Sequence, residues 1–281
     1  MPTFSTPEPI SLTVEVVVGD VRIAASDRLD TVVRVRPSDE SHEPDVRAAE
    51  QTRVDHAAGR LAVRGPKQRG LGLFSRIGSV DVIVDLPTGS QVQGETAVGA
   101  FHCVGQLGEC RLKTSSGTIE VDRASTLDLN TGLGSVVVER AAGNAEVSTG
   151  SGRVRLGVVE GAAVIKNSNG DTSVGQVRGD VRVNAANGDI SIGRADGDVT
   201  ASSANGDVRV ADAARGSASL KTALGAIEIG IRTGTAARLD VHTSFGRVHN
   251  QMQTVPSPGS SDETIDVRAR TSYGDIIIRH S

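Results

Sequence analysis

Three aspartates recur at one spacing: Asp171, Asp189 and Asp207 each follow a glycine, one repeat of 18 residues apart. On stacked strands about 4.8 Å apart, three carboxylates in a column repel one another, and a cation between them would relieve that repulsion. They are therefore the candidate metal ligands, with calcium the cofactor they would take. Calcium-binding nonapeptide repeats use Gly-Gly-x-Gly-x-Asp, a phrase missing here. A structural role fits the same residues: Asn-Gly supplies a turn with positive φ, Asp accepts local backbone N–H groups, and Asn169, Asn187 and Asn205 stack as an amide ladder. The sequence favours that role, so no cofactor is expected.

Other chemistry is thinly represented. Parallel β-helix lyases build sites from outward acids and bases on adjacent rungs, and Lys166, Arg182 and Glu146 are such a set. Sugar sites also stack rings on aromatic side chains, and the chain has only four Phe, one Tyr and no Trp. There is no Gly-x-Ser-x-Gly elbow, phosphate loop, His-Glu-x-x-His or dinucleotide fingerprint, and the six histidines are scattered. The expectation is a chain that is not an enzyme. Cys103 and Cys110 fall at inward positions of one repeat, where they read as reduced core thiols or as a bridge between two sheets.

A net charge of -4, from 30 basic and 34 acidic residues, leaves no footprint for nucleic acid. The first residues, Met1 to Pro9, lack the basic and apolar regions of a signal peptide, and no apolar run is long enough to span a bilayer. Cytoplasm is the expected location. Contacts are expected where the repeat breaks, since insertions in repeat proteins sit on loops. The glycine-rich segment with Lys67, Arg69, Leu71, Leu73, Phe74 and Arg76 combines basic and apolar side chains and supplies the candidate partner contacts. The Ser/Pro-rich stretch from Gln251 to Asp262 is a second break, an excursion without regular structure.

All these residues hang on one repeat. The glycines that close a Thr-x-x-Gly phrase are Gly99, Gly117, Gly134, Gly152, Gly170, Gly188, Gly206, Gly225, Gly246 and Gly274, evenly spaced in the middle and wider toward the end. A column of Thr, Asn or Ser precedes them and turns inward, where it would bond the corner backbone. Within each copy, segments such as Ile190-Ser191-Ile192 and Val181-Arg182-Val183 alternate apolar and polar residues with the period of a strand. One copy buries four or five side chains worth roughly 1.5–3 kcal/mol each. Ordering its backbone costs about 1–2 kcal/mol per residue, so copies must stack.

The fold expected is all-β: a flattened single-chain β-solenoid of about ten 18-residue rungs with two strands each. Residues 1–89 form an N-terminal β cap region continuous with a repeat domain over 90–281. Asp45 to His56 is ambiguous between a short helix and an edge strand. Phe245 and Tyr273 fill the position Asn holds in the middle and read as a cap on the last turns. The edge after Ile276-Ile277-Ile278 is open to pairing with another chain, unless Arg279, His280 and Tyr273 shield it.

The rung phrases, the core Val164-Ile165-Lys166-Asn167-Ser168-Asn169-Gly170-Asp171 and the closing Thr271-Ser272-Tyr273-Gly274-Asp275-Ile276-Ile277-Ile278 resemble the bacterial β-strand-repeat family labelled putative adhesin, especially its actinobacterial members. The resemblance covers most of the chain and is most specific over 90–281. It implies adhesion or envelope interaction. From the residues themselves the leading expectation is a non-enzymatic scaffold presenting mixed-charge strand faces to a protein partner. A cell-surface adhesin, a calcium-dependent module and a carbohydrate-active β-helix enzyme are the alternatives.

Overall fold

The computed structural model describes residues 2–66, 78–252 and 263–281. It is the all-β solenoid that the repeat demands, two strands to a rung, and the chain divides into two compact units, Met1–Arg140 and Ala141–Ser281.

In the second unit the strands Ala145–Ser151, Ala163–Asn169, Val181–Asn187, Val199–Asn205 and Gly216–Leu224 lie side by side in parallel register. The strands Val154–Val159, Thr172–Val177, Ile190–Ala195, Val208–Ala213 and Ile227–Ile231 form the matching second face. Register places like on like: Ala145, Ala163, Val181, Val199 and Ala218 form one inward column, all buried. Small and β-branched side chains fill this thin core, which explains the lack of aromatic bulk.

The corner of each rung is made by the Gly column. Gly170, Gly188, Gly206 and Gly225 have φ between 125° and 146°. A Cβ on any of them would overlap the carbonyl oxygen of the glycine one rung before. The inward Thr column bonds these carbonyls, as expected: Ser203 Oγ donates to Gly188 O at 3.2 Å, Thr222 Oγ1 to Gly206 O at 2.9 Å and Thr271 Oγ1 to Gly225 O at 2.9 Å. Ala185 has no hydroxyl to give to Gly170. Asn167 makes up the loss, its Nδ2 donating to both Gly152 O at 3.1 Å and Gly170 O at 2.8 Å.

Sequential stacking fails at the end of this unit. The strand Gly216–Leu224 pairs next with Glu263–Tyr273, and Ile227–Ile231 with Ile276–His280. The strands Thr235–Phe245 and Val248–Asn250 lie outside these, pairing with Glu263–Tyr273 and Ile276–His280 respectively. The rung at 263–280 is thus inserted beneath the rung at 235–250 that precedes it in sequence. The edge after Ile276-Ile277-Ile278 is therefore covered, and among the described residues the outer edge is formed by Thr235–Phe245 and Val248–Asn250. Composition explains the choice: the inserted rung turns Ile265, Val267, Ala269, Ile276 and Ile278 inward, all buried, whereas the covering rung carries Asn250 opposite Ile278.

The first unit uses the same device. The strand Ser11–Val18 pairs on one side with Gln91–Val98 and on the other with Arg60–Arg64, and Val21–Ser26 lies between Phe101–Ser116 and Val80–Pro87. The strand Phe101–Ser116 pairs in turn with Ile119–Leu133. Beyond the first rung the chain leaves the parallel pattern: Asp30–Pro37 is antiparallel to Val80–Pro87, Thr3–Ser5 to Asp30–Pro37, and Arg53–Ala57 to Arg60–Arg64. The ambiguous Asp45 to His56 segment is both structures in turn, a helix at Glu43–Gln51 started by Pro44 and then the strand Arg53–Ala57.

Asp45 ties this cap together. Its Oδ1 accepts from Ser79 N at 2.9 Å and meets His42 Nδ1 at 2.7 Å, and its Oδ2 accepts from Asp39 N at 3.2 Å. Burial pushes the carboxyl up, but these donors outweigh it and hold it below the ordinary value of 3.8. A folded value below the unfolded one means that the carboxylate stabilises the fold above the unfolded value, and that this is lost as pH falls through the folded value. Asp45→Asn is expected to lower stability at neutral pH and to flatten the acid loss below about pH 4, read from urea midpoints at neutral pH and downward through that range. A slope unchanged by the substitution would contradict this role.

Candidate functional site

The aspartate column is a set of backbone staples. Asp189 N–H donates to Asp171 Oδ1 at 3.2 Å, Asp207 N–H to Asp189 Oδ1 at 2.8 Å and Ala226 N–H to Asp207 Oδ1 at 2.7 Å. Each carboxylate thus meets a donor from the next rung. Beside them the amides form the expected ladder, Asn187 Nδ2 donating to Asn169 Oδ1 at 2.8 Å and Asn205 Nδ2 to Asn187 Oδ1 at 2.7 Å. Among the described residues no three His, Cys, Asp or Glu side chains gather as a metal site.

Of the proposed acid–base set, Lys166 Nζ lies 3.5 Å from Glu146 Oε1, one pair in an exposed lattice of cross-rung ion pairs. Lys113–Glu95 and Arg111–Asp128 at 3.1 Å, and Arg209–Glu228 at 3.3 Å, belong to the same pattern. Such exposed pairs add about 0–1 kcal/mol each, but they fix the charged faces as ordered grids. Arg232 closes a less exposed corner, its guanidinium 2.6 Å from Asp212 and 3.2 Å from Asp196. Cys103 and Cys110 are free and buried. The hydrogen bond between the two thiols, with burial, pushes the Cys110 thiol well above its ordinary value and disfavours its thiolate. Lys67, Arg69, Leu71, Leu73, Phe74 and Arg76 lie outside the described residues.

In the last rungs the corner column turns apolar and aromatic. At the position that Asn169, Asn187 and Asn205 occupy, the next rungs in space carry Leu224, Tyr273 and Phe245. They are 50%, 53% and 64% exposed. The rings of Phe245 and Tyr273 stack at 4.8 Å with an interplanar angle of 9°. They stand beside the core at the corner, so they do not cap it as the sequence suggested. Tyr273 is held between Leu224 and Phe245, which leaves the outer face of Phe245 open. With Leu224, two of the chain's five aromatic residues thus form an exposed apolar stripe about 10 Å long. The stripe offers stacking and apolar burial; it holds no acid, base or nucleophile. Its sequence signal was the replacement of Asn by Leu224, Phe245 and Tyr273 before successive corner glycines; the inserted rung decides that Tyr273 is the inner ring and Phe245 the outer.

The glycine corner recurs from rung to rung, and the Toastrack DUF4097 family model matches residues 9–279. The chain belongs to the Toastrack DUF4097 family. No curated protein matches it. Among solved structures, this Toastrack chain is similar to a putative adhesin from Bacteroides fragilis NCTC 9343, with 13% identity, 99% of this chain and 95% of that chain covered, and a TM-score of 0.39. It is similar to a putative adhesin from Parabacteroides merdae ATCC 43184, with 10% identity, coverage of 100% and 95%, and a TM-score of 0.37. A putative cell adhesion protein from Clostridium sporogenes ATCC 15579 is similar at 11% identity, coverage of 100% and 98%, and a TM-score of 0.23. With TM-scores under 0.5, none of the three is a guide to this chain's own arrangement. Among the described residues no helix is long and apolar enough to cross a membrane.

Proposed function

We propose that this Toastrack chain is a non-enzymatic scaffold that binds a protein partner through the corner stripe of Leu224, Tyr273 and Phe245, framed by its mixed-charge strand faces. The observation that carries the proposal is the exposed stack of Phe245 on Tyr273 in register with Leu224. Rigid aromatic side chains bury much area at little entropic cost, and a surrounding polar rim gives orientation. Nothing in the core needs these side chains outside, since the same position is filled by Asn in the middle rungs.

The double substitution Phe245→Ser/Tyr273→Ser is expected to leave the fold intact and to remove a protein that the unchanged chain captures from native lysate. Capture of the same proteins by both forms, or turnover of any compound in a substrate screen, would overturn the proposal. A cell-surface adhesin would use the same stripe; it differs in place, and finding the full-length native protein outside the cell would favour it.

A further inference from the structure

We infer that the strand Thr235–Phe245 pairs antiparallel with the same strand of a second copy of this chain, about a two-fold axis at Leu239. Among the described residues this strand pairs only with Glu263–Tyr273, so its outer row of backbone donors and acceptors has no strand beside it. It is 11 residues long and contains no proline, unlike the short or proline-broken edges by which sheets avoid one another. Its inward residues are also left partly open: Ala237, Leu239 and Val241 are half-buried, while Ile265, Val267 and Ala269 on the neighbouring strand are buried. Among the described residues nothing covers the core here.

The side chains select the occupant and the register. A two-fold axis perpendicular to the sheet keeps inward residues inward and reverses the strand, which is the relation within an isologous dimer. Centred on Leu239, it sets Leu239 against its own counterpart, Ala237 against Val241 and, on the outer face, Arg238 against Asp240 in both directions. Centring on Asp240 would set Asp240 against itself, and centring on Arg238 would set Arg238 against itself, both repulsive across a strand pair. Asp240 is already gripped by Arg270 at 2.7 Å, and a carboxylate can accept from Arg238 of the other copy as well. The sequence reading placed an edge for self-pairing after Ile278; the inserted rung moves it to Thr235–Phe245. This inference does not rest on the corner stripe, and Phe245→Ser/Tyr273→Ser leaves the Arg238–Asp240 register untouched.

Sedimentation of the full chain over a range of concentrations tests it. The expected result is a reversible monomer–dimer equilibrium. Arg238→Asp should weaken the dimer by about tenfold or more, since it sets two Asp pairs face to face. Arg238→Asp/Asp240→Arg should recover it, and Leu239→Lys should leave a folded monomer. A chain that stays monomeric throughout, or a dimer indifferent to Arg238→Asp, overturns the proposal. A double exchange that fails to restore association overturns the register on which it stands.

Discussion

Deletion of residues 263–281 is expected to dismantle two rungs at once. The strands Thr235–Phe245 and Val248–Asn250 have the inserted rung as their strand partner, so its removal strips 235–250 of its pairing and leaves only this less apolar rung to cover Gly216–Leu224 and Ile227–Ile231. Ile265, Val267, Ile276 and Ile278 are buried to within 2%. Each contributes roughly 1.5–3 kcal/mol of burial, and the deletion removes all four together. The truncated chain should lose its cooperative thermal transition or fail to stay in solution. Deletion of 235–262 removes more residues and should do less. It joins Gly234 to Glu263, and Glu263–Tyr273 already lies where the next rung in order would lie. That chain should keep a cooperative transition at a slightly lower temperature. Thermal melts followed by circular dichroism separate the two outcomes, and a mild effect of the first deletion beside a severe effect of the second would reverse the assigned order.

Gly188→Ala carries the largest effect expected of a single methyl group. Gly188 has φ 125°, which L side chains rarely adopt, and its added Cβ would overlap Gly170 O. The carbonyl cannot retreat, because the glycines stack one upon another along the corner. Strain and collision together should cost about 3 kcal/mol. Gly59 separates the two causes: it has φ 71° with nothing within 4 Å of an added Cβ. Gly59→Ala should therefore cost only the conformational share, about 1 kcal/mol. Urea unfolding of both variants measures the difference, and equal losses would show that the corner has no steric lock.

Much of this was legible in the sequence, and the parts that were not share a cause. The period located the corner glycines, the inward Thr column and the alternation of Ile190-Ser191-Ile192, because each is a local demand of one rung on the next. The roles of Asp189 and Asn187 also followed from local turn chemistry. Rung order did not, because a period records what a rung looks like and not which neighbour it meets. The wider step from Gly246 to Gly274 was the only sign of a rearrangement. With order unknown, Phe245 and Tyr273 could be seen to replace Asn but not which of them lies against Leu224, and the open edge was assigned to Ile276–His280 instead of Thr235–Phe245. The helix at Glu43–Gln51 was blurred for another reason: it buries only Asp45 and Ala48, too few positions to show a helical period.

The inserted rung decides which ring is outermost in the apolar stripe and where the open edge lies, and cross-linking tests it most directly. Ser219, Arg268 and Asp240 are exposed and stand side by side on successive strands, Ser219 paired with Arg268 and Arg268 with Asp240. In a chain with Cys103 and Cys110 changed to alanine, Ser219→Cys/Arg268→Cys places two thiols on neighbouring strands, about 5 Å apart, within the reach of a disulfide. Ser219→Cys/Asp240→Cys places them two strands apart, at about 10 Å, beyond that reach. Mild oxidation should bridge the first pair and spare the second; a bridge in the second pair but not the first would contradict the inserted rung and everything placed upon it.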